Sequence, residues 1–118
     1  MSENAYDLFQ EGRKRLRSGL SAQATVPLEK AKRLEPAKAS IREALGIAYF
    51  RLARWDDAER EFRTIVEELS PTDHYAHYAL GRSLEHLGKT TEANGHYKLA
   101  SSMKPSSETY SSRILDLG

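Results

Sequence analysis

The sequence predicts an all-α fold: three helical hairpins stacked side by side as a solenoid, closed at the C-terminal end by a short capping helix. Three observations carry this. Gly12, Gly46 and Gly81 stand 34 and 35 residues apart in the 118-residue chain, and a period of that size marks a repeat architecture. Twelve residues past each glycine stands an alanine (Ala24, Ala58, Ala93). A large side chain (Leu28, Phe62, Tyr97) and a further apolar residue (Ala31, Ile65, Ala100) then follow at helical steps of four and three. Each unit closes on a proline, Pro36, Pro71 or Pro105, which cannot extend a helix interior and holds the residue before it out of helical geometry.

The units fall at about residues 5–38, 39–73 and 74–107, with the capping segment at about 108–117, in a single domain over 1–118. In the middle unit the first helix is expected over about 39–53 and the second over about 56–69. Leu45, Tyr49, Phe62 and Ile65 recur at three- and four-residue steps and form the apolar stripe between them. Gly46 and Ala58 are small because the two helices cross there and their backbones approach. Trp55 is expected in the turn, closing the gap between the pair. Asp56, Asp57 and Glu59 place negative charge at the start of the second helix, where the helix dipole favours it. This unit reaches its proline one residue late, so an extra residue sits between Ile65 and Pro71.

The flanking units depart from this pattern. Pro27 falls inside the second helix of the first unit, where it removes a hydrogen bond and crowds the carbonyl of Gln23, so that helix either starts late or bends. Glu11 and Arg15 stand where the other units are apolar, as suits an end cap with a solvated outer side. After Pro105 a short helix from about Glu108 presents Tyr110, Ile114 and Leu117 on its apolar side. It covers the flank of the third hairpin incompletely, and an uncovered apolar flank invites weak homo-oligomerisation.

Composition narrows the function. Hydrophobic residues at 39% and charged residues at 30% suit a soluble globular or repeat protein. The formal net charge is +1, so nothing global steers the chain to nucleic acid or membrane. Residues 1–38 hold eight Lys/Arg against five Asp/Glu, and residues 39–73 hold five against eight, a mild polarity. The basic run "GRKRLRSG" is local and lacks stacking aromatics, so no nucleic-acid partner is expected. The absence of cysteine excludes a disulfide framework and Cys-ligated zinc and fits a reducing compartment. The start "MSENAYDLF" lacks a basic segment followed by an apolar run, and no apolar stretch approaches the roughly 20 residues that span a bilayer. A cytoplasmic location without a membrane partner is the expectation.

Catalytic chemistry finds little purchase. His74 and His77 in "HYAH" could share a helical face, but no third ligand is spaced to join them, so no metal site is expected. His86 and His96 read as surface residues. The adjacent acids Asp56–Asp57 and Glu67–Glu68 do not face each other on a helix. No phosphate-binding glycine loop or nucleophile-elbow motif occurs, and no His or acid stands where it would activate the serines of "SSMKPSS". No enzyme activity and no cofactor are expected.

A partner surface is the stronger candidate. In stacked helix pairs the first helix of each pair lines the concave side. Its face not used in packing reads Tyr6, Phe9, Arg13, Leu16 and Arg17 in the first unit. The second unit gives Ser40, Glu43, Ile47, Phe50 and Arg51, and the third Tyr75, Tyr78, Arg82, Glu85 and His86. The candidate peptide-binding set is Tyr6, Phe9, Arg13, Arg17, Glu43, Ile47, Arg51, Tyr75, Tyr78, Arg82 and His86. Tyr and Arg dominate interface hot spots, and arginine's planar fork suits carboxylates. Phe9 and Leu16 are candidates for core as well as groove, and Arg13 and Arg17 also read as solvated helix charges.

The spacing resembles the tetratricopeptide repeat (TPR). Of its seven signature positions the middle unit fills six, with Leu45, Gly46, Tyr49, Ala58, Phe62 and Pro71, and places Arg42 where a Trp is usual. The third keeps Leu80, Gly81, Ala93 and Pro105, with His77, Leu84 and Tyr97 as substitutes. The first keeps Gly12, Ala24 and Pro36, with Leu8 and Leu28 as stand-ins and Glu11 and Arg15 as polar misfits. The resemblance spans about Ala5 to Pro105. It implies a right-handed solenoid of helix-turn-helix hairpins and a non-catalytic scaffold whose partner is a peptide or protein segment held in the groove. A well-known variant clamps an acidic chaperone tail through a Lys, two Asn, a Lys and an Arg. The five slots here hold Phe9, Arg13, Ala44, Tyr75 and Ala79, of which only Arg13 keeps a basic donor. An apolar or aromatic anchor beside an acidic group is the ligand expected instead. An oligomerisation module acting through the terminal flank is the alternative.

Overall fold

The computed structural model describes residues 3–114. Leu117, assigned above to the capping helix, lies outside them. Seven α-helices and no strand occur among the described residues: α1 Ala5–Arg17, α2 Ser21–Leu34, α3 Ala39–Arg51, α4 Trp55–Thr64, α5 His74–His86, α6 Thr90–Met103 and α7 Glu108–Ser111. They pack as hairpins α1/α2, α3/α4 and α5/α6. The second helix of each hairpin packs on the first helix of the next, and α7 packs on α6. The stack is elongated, 57 × 24 × 22 Å.

Each hairpin is stitched through its glycine, which receives a large side chain of the partner helix. A Cβ on Gly46 would lie 2.7 Å from the Phe62 ring, and one on Gly81 would lie 2.6 Å from the Tyr97 ring. A Cβ on Gly12 would collide with the Leu28 side chain. The glycine is a socket for the large side chain sixteen residues later, and at Gly81 a backbone atom, the Ala93 carbonyl at 3.2 Å, also approaches. Leu28 and Tyr97 are fully buried and Phe62 nearly so, among Ala24, Ala58 and Ala93. Filling such sockets at interior density makes any added methyl costly.

The three hairpin turns are copies. Leu20, Arg54 and Lys89 donate backbone bonds of 2.9 Å to Arg15, Tyr49 and Leu84, closing each first helix over a residue with positive φ. That residue is Gly19 (φ 77°), Ala53 (φ 58°) or Gly88 (φ 79°). Ala53, expected at the end of a helix, thus lies past the end of α3. Trp55, expected in the turn, is the first residue of α4.

The extra residue of the second unit is absorbed without breaking the helix. Beyond Thr64, α4 widens into a π-helical turn, Ile65–Leu69, closed by Ser70 N–H donating to the Ile65 carbonyl at 2.7 Å. The wider turn lets the neighbours Ile65 and Val66 both face inwards, where each is buried.

Pro27 does not delay α2, which begins at Ser21. The Gln23 carbonyl, deprived of its partner by the proline, accepts from Arg15 Nη1 at 2.9 Å, and Glu11 holds Arg15 through a 2.5 Å ion pair. Glu11 and Arg15 are thus more than a solvated cap side: they satisfy the carbonyl that the proline frees. At the other end, Tyr110 of α7 is buried and Ile114 packs partly against the core.

Candidate functional site

One face of each first helix opens onto a trough. Its first recess, of about 430 Å³, is walled by Phe9, Arg13 and Arg17 from α1 and by Glu43, Ile47 and Arg51 from α3. Its second, of about 230 Å³, joins Ile47 and Arg51 to Tyr75, Tyr78 and Arg82 of α5, with Phe50 beside them. Ile47 and Arg51 line both recesses, so the two are continuous. Nine of the eleven residues singled out by sequence meet here. The other two do not. Tyr6 is 68% exposed and borders a separate recess with Phe9, Glu35 and Lys38. His86 stacks on Trp55, with centroids 3.9 Å apart and planes 7° apart, beyond the edge of Phe50. Leu16, 9% exposed, belongs to the core and Phe9 packs partly against both core clusters, and both also line the first recess.

The floor is aromatic. Phe62 reaches the second recess from α4, a contribution not expected of a residue read as packing alone. Tyr75, Tyr97 and Tyr110 each meet Tyr78, with ring centroids 5.1–6.2 Å apart. The Tyr110 hydroxyl lies 2.8 Å from His74 Nδ1, which ties α7 to the start of α5.

Most arginines outside the trough are paired, Arg33 and Arg113 excepted, whereas none of those lining it is, among the described residues. Arg15, Arg42, Arg54, Arg60 and Arg63 each pair with a carboxylate. Arg13, Arg17, Arg51 and Arg82 form no ion pair among the described residues. Three of these four are positioned by contacts that leave most of their donors unspent. Arg13 lies 5.5 Å over the Phe9 ring, and Arg82 lies 5.5 Å over Phe50 and donates to the Tyr78 hydroxyl at 3.3 Å. Arg51 donates from Nη1 to the Leu16 carbonyl at 3.0 Å. Glu43 is the acid of the first recess. Burial, then the nearby charge of Asp73, push its carboxyl above the ordinary range, while Arg13 pulls it back. Burial, then Glu43, likewise raise the Tyr75 hydroxyl. Asp73 comes into play because it caps α5, accepting from Ala76 N–H at 3.0 Å; an acid just past a helix-ending proline was the sequence signal for it.

Outside the trough lie two groups that sequence reasoning did not assemble. Glu61, 1% exposed, accepts from Lys32 Nζ at 2.8 Å and Arg42 Nη1 at 3.0 Å, and Arg42 Nε donates to the Pro36 carbonyl at 2.8 Å. His77 and His96 face each other with Nδ1 atoms 3.0 Å apart, and His77 Nε2 donates to the Pro71 carbonyl at 2.7 Å. His96 is thus no free surface residue. Among the described residues no group of three or more His, Asp or Glu gathers as a metal site, and no helix is long and apolar enough to cross a membrane.

No protein-family model matches the chain, and no curated protein matches it by sequence. Solved structures do match by shape. The first TPR of Spaghetti (RPAP3) bound to the HSP90 peptide SRMEEVD superposes with a TM-score of 0.89 at 23% identity, over 97% of this chain and 90% of that one. MamA superposes at 0.90 with 24% identity, over 94% and 64%. YrrB, described as a TPR protein with an unusual peptide-binding site, superposes at 0.87 with 18% identity, over 94% and 57%. The chain therefore has the tetratricopeptide-repeat fold.

Proposed function

We propose that this TPR solenoid is a non-catalytic interaction scaffold whose trough holds an extended peptide or protein segment bearing an aromatic or apolar anchor and an acidic group. One observation carries the reading: all four arginines of the trough lack carboxylate partners and border an aromatic floor, whereas five of the seven elsewhere are paired in place, Arg33 and Arg113 being the exceptions among the described residues. Guanidinium forks and Tyr or Phe rings together supply the charge-assisted bonds and buried apolar area that make interface hot spots. The second recess takes the anchor against Phe50, Phe62, Tyr75 and Tyr78, and the arginines take the acid. Support from the neighbours is general, in that the Spaghetti domain holds a peptide and YrrB has a peptide-binding site. The acidic-tail clamp is not the mode favoured, because its slots hold Phe9, Ala44, Tyr75 and Ala79 beside Arg13.

An array of ten-residue peptides varying Asp/Glu, Phe/Leu and Lys, with SRMEEVD as a negative control, tests this. Binding is read by the fluorescence of Trp55, the sole tryptophan, which touches Phe50 edge-on at 4.9 Å. Arg82→Glu and Tyr78→Ala should each weaken the best peptide about tenfold or more, as loss of a hot spot does. Unchanged binding by both variants moves the site elsewhere. Assembly through the C-terminal flank has less support, since Tyr110 and Ile114 turn inwards. Sedimentation of wild type and Ile114→Ser decides it: a concentration-dependent dimer lost in the variant restores that reading.

A further inference from the structure

The first recess is chemically distinct from the second, and the difference concerns charge number. Arg13, Arg17 and Arg51 all border it, and Glu43 is its one acid. Three guanidiniums less one carboxylate leave an excess of two positive charges with Glu43 ionised. A single Asp or Glu side chain brings one negative charge and would leave guanidinium donors unmatched. A phosphomonoester brings about −1.5 to −2 charges at pH 7 and three strong acceptor oxygens.

The arginines are arranged to meet such a group. Arg51 spends one N–H on the Leu16 carbonyl of the neighbouring hairpin, which fixes the guanidinium between α1 and α3 and leaves four N–H donors. Arg13, lying over Phe9, keeps the in-plane edge of its guanidinium free, as stacked arginines do. Arg17 makes no hydrogen bond or ion pair among the described residues, one helical turn beyond Arg13 on α1. A void of about 430 Å³ accommodates the phosphoryl group and its attached side chain. We infer that the recess between the first two hairpins is a phosphoryl site, taking a phosphorylated serine or threonine of the bound segment while the neighbouring recess takes an aromatic or apolar residue. This rests on the reading of the trough as a peptide site.

The test separates the two readings. N-acetyl-O-phosphoserine amide is titrated into the full chain while the arginine Nε–H signals are followed by NMR, with N-acetylglutamate amide as control. Matched peptides carrying phosphoserine, glutamate or serine a few residues from a phenylalanine are then compared. The phospho-probe should shift Arg13, Arg17 and Arg51 and spare Arg33 and Arg113. The phosphopeptide should bind about tenfold or more tighter than its glutamate twin, as expected for a doubly charged acceptor on several guanidiniums. Its affinity should rise between pH 5 and 7 as the phosphate loses its second proton near pH 6. Glu43, whose carboxyl burial and the charge of Asp73 push upward, opposes the phosphate as it ionises, so the profile is repeated on Glu43→Gln, which should bind more tightly and rise at least as steeply with pH. Arg17→Ala should lose about tenfold with the thermal midpoint unchanged, consistent with the loss of one charge-assisted contact. Equal binding of phosphoserine and glutamate peptides, or no loss in Arg17→Ala, overturns the phosphoryl site and leaves the peptide reading standing. Probe shifts at the three arginines with no peptide binding overturns the peptide reading alone.

Discussion

In the second hairpin Arg42 reaches the carbonyl of Pro36, six residues back, and the buried Glu61 on the helix opposite. In the third, His77 reaches the carbonyl of Pro71, also six residues back, and His96 on the helix opposite. Arg42 and His77 are the same repeat position, and so are Glu61 and His96, each 35 residues apart. Where a large aromatic ring is usual, both hairpins use a polar side chain that ties the inter-repeat loop to the partner helix. The position therefore demands a tether as much as bulk. The two tethers differ in what can untie them. The first joins a guanidinium to a buried carboxylate. The second joins two imidazoles whose Nδ1 atoms can share one proton and no more, since His77 Nε2 already carries the hydrogen that the Pro71 carbonyl accepts.

The largest effect should come from cutting the charged tether. Glu61→Ala leaves Arg42 without a carboxylate and Lys32 with Glu29 alone at 3.5 Å, and should lower stability by about 3 kcal/mol in urea titrations, as broken buried pairs do. A cost near zero would mean that water replaces the carboxylate. Next comes pH. Burial, then the neighbouring His77, hold the His96 imidazole below its ordinary value of 6.5, against the pull of Glu92 and Glu67. The unfolded chain then binds more protons than the fold as pH drops below 6.5, so stability present above that value is lost on acidification. The urea midpoint should fall between pH 6.5 and 5 in wild type and fall less in His96→Gln, which exchanges the titrating ring for a neutral amide. A slope that survives the exchange would place its cause in another group.

A smaller effect separates the first hairpin from both. Arg15→Met unties the Gln23 carbonyl and should cost about 1 kcal/mol, the net worth of one such bond. In a Pro27→Ala background, where the helix can supply its own donor, the cost should shrink. The smallest concerns the turns: Ala53 alone among Gly19, Ala53 and Gly88 carries a Cβ at positive φ. Ala53→Gly should raise stability by about 0.5 kcal/mol in the same titrations, since relief of left-handed strain outweighs the added freedom of the unfolded chain.

The repeat was legible because its sockets admit few residues. Gly12, Gly46 and Gly81 face side chains that leave no room for a methyl, so their spacing survives while other positions drift. The surplus residue near Val66 could be located by counting, but how it is housed depends on hydrogen-bond register, which residue order does not reveal. Most of the trough followed from helical periodicity. His86 escaped because Trp55 entered α4 instead of remaining in the turn and offered the imidazole a stacking face. The Arg42–Glu61 and Arg15–Gln23 contacts were illegible for another reason. Their partners sit 19 and 8 residues apart on different helices, at distances set only once the hairpins have closed.

The π-helical turn at Ile65–Leu69 bears on how such an array can vary in length. One surplus residue in an ordinary helix would rotate everything after it by about 100°, turning the face beyond it away from its neighbour. Housing the surplus as a local bulge cancels that rotation before the next hairpin begins, so α5 meets α4 as α3 meets α2. Units of unequal size can then share one trough, and a shift in phase is confined to the turn where it arose.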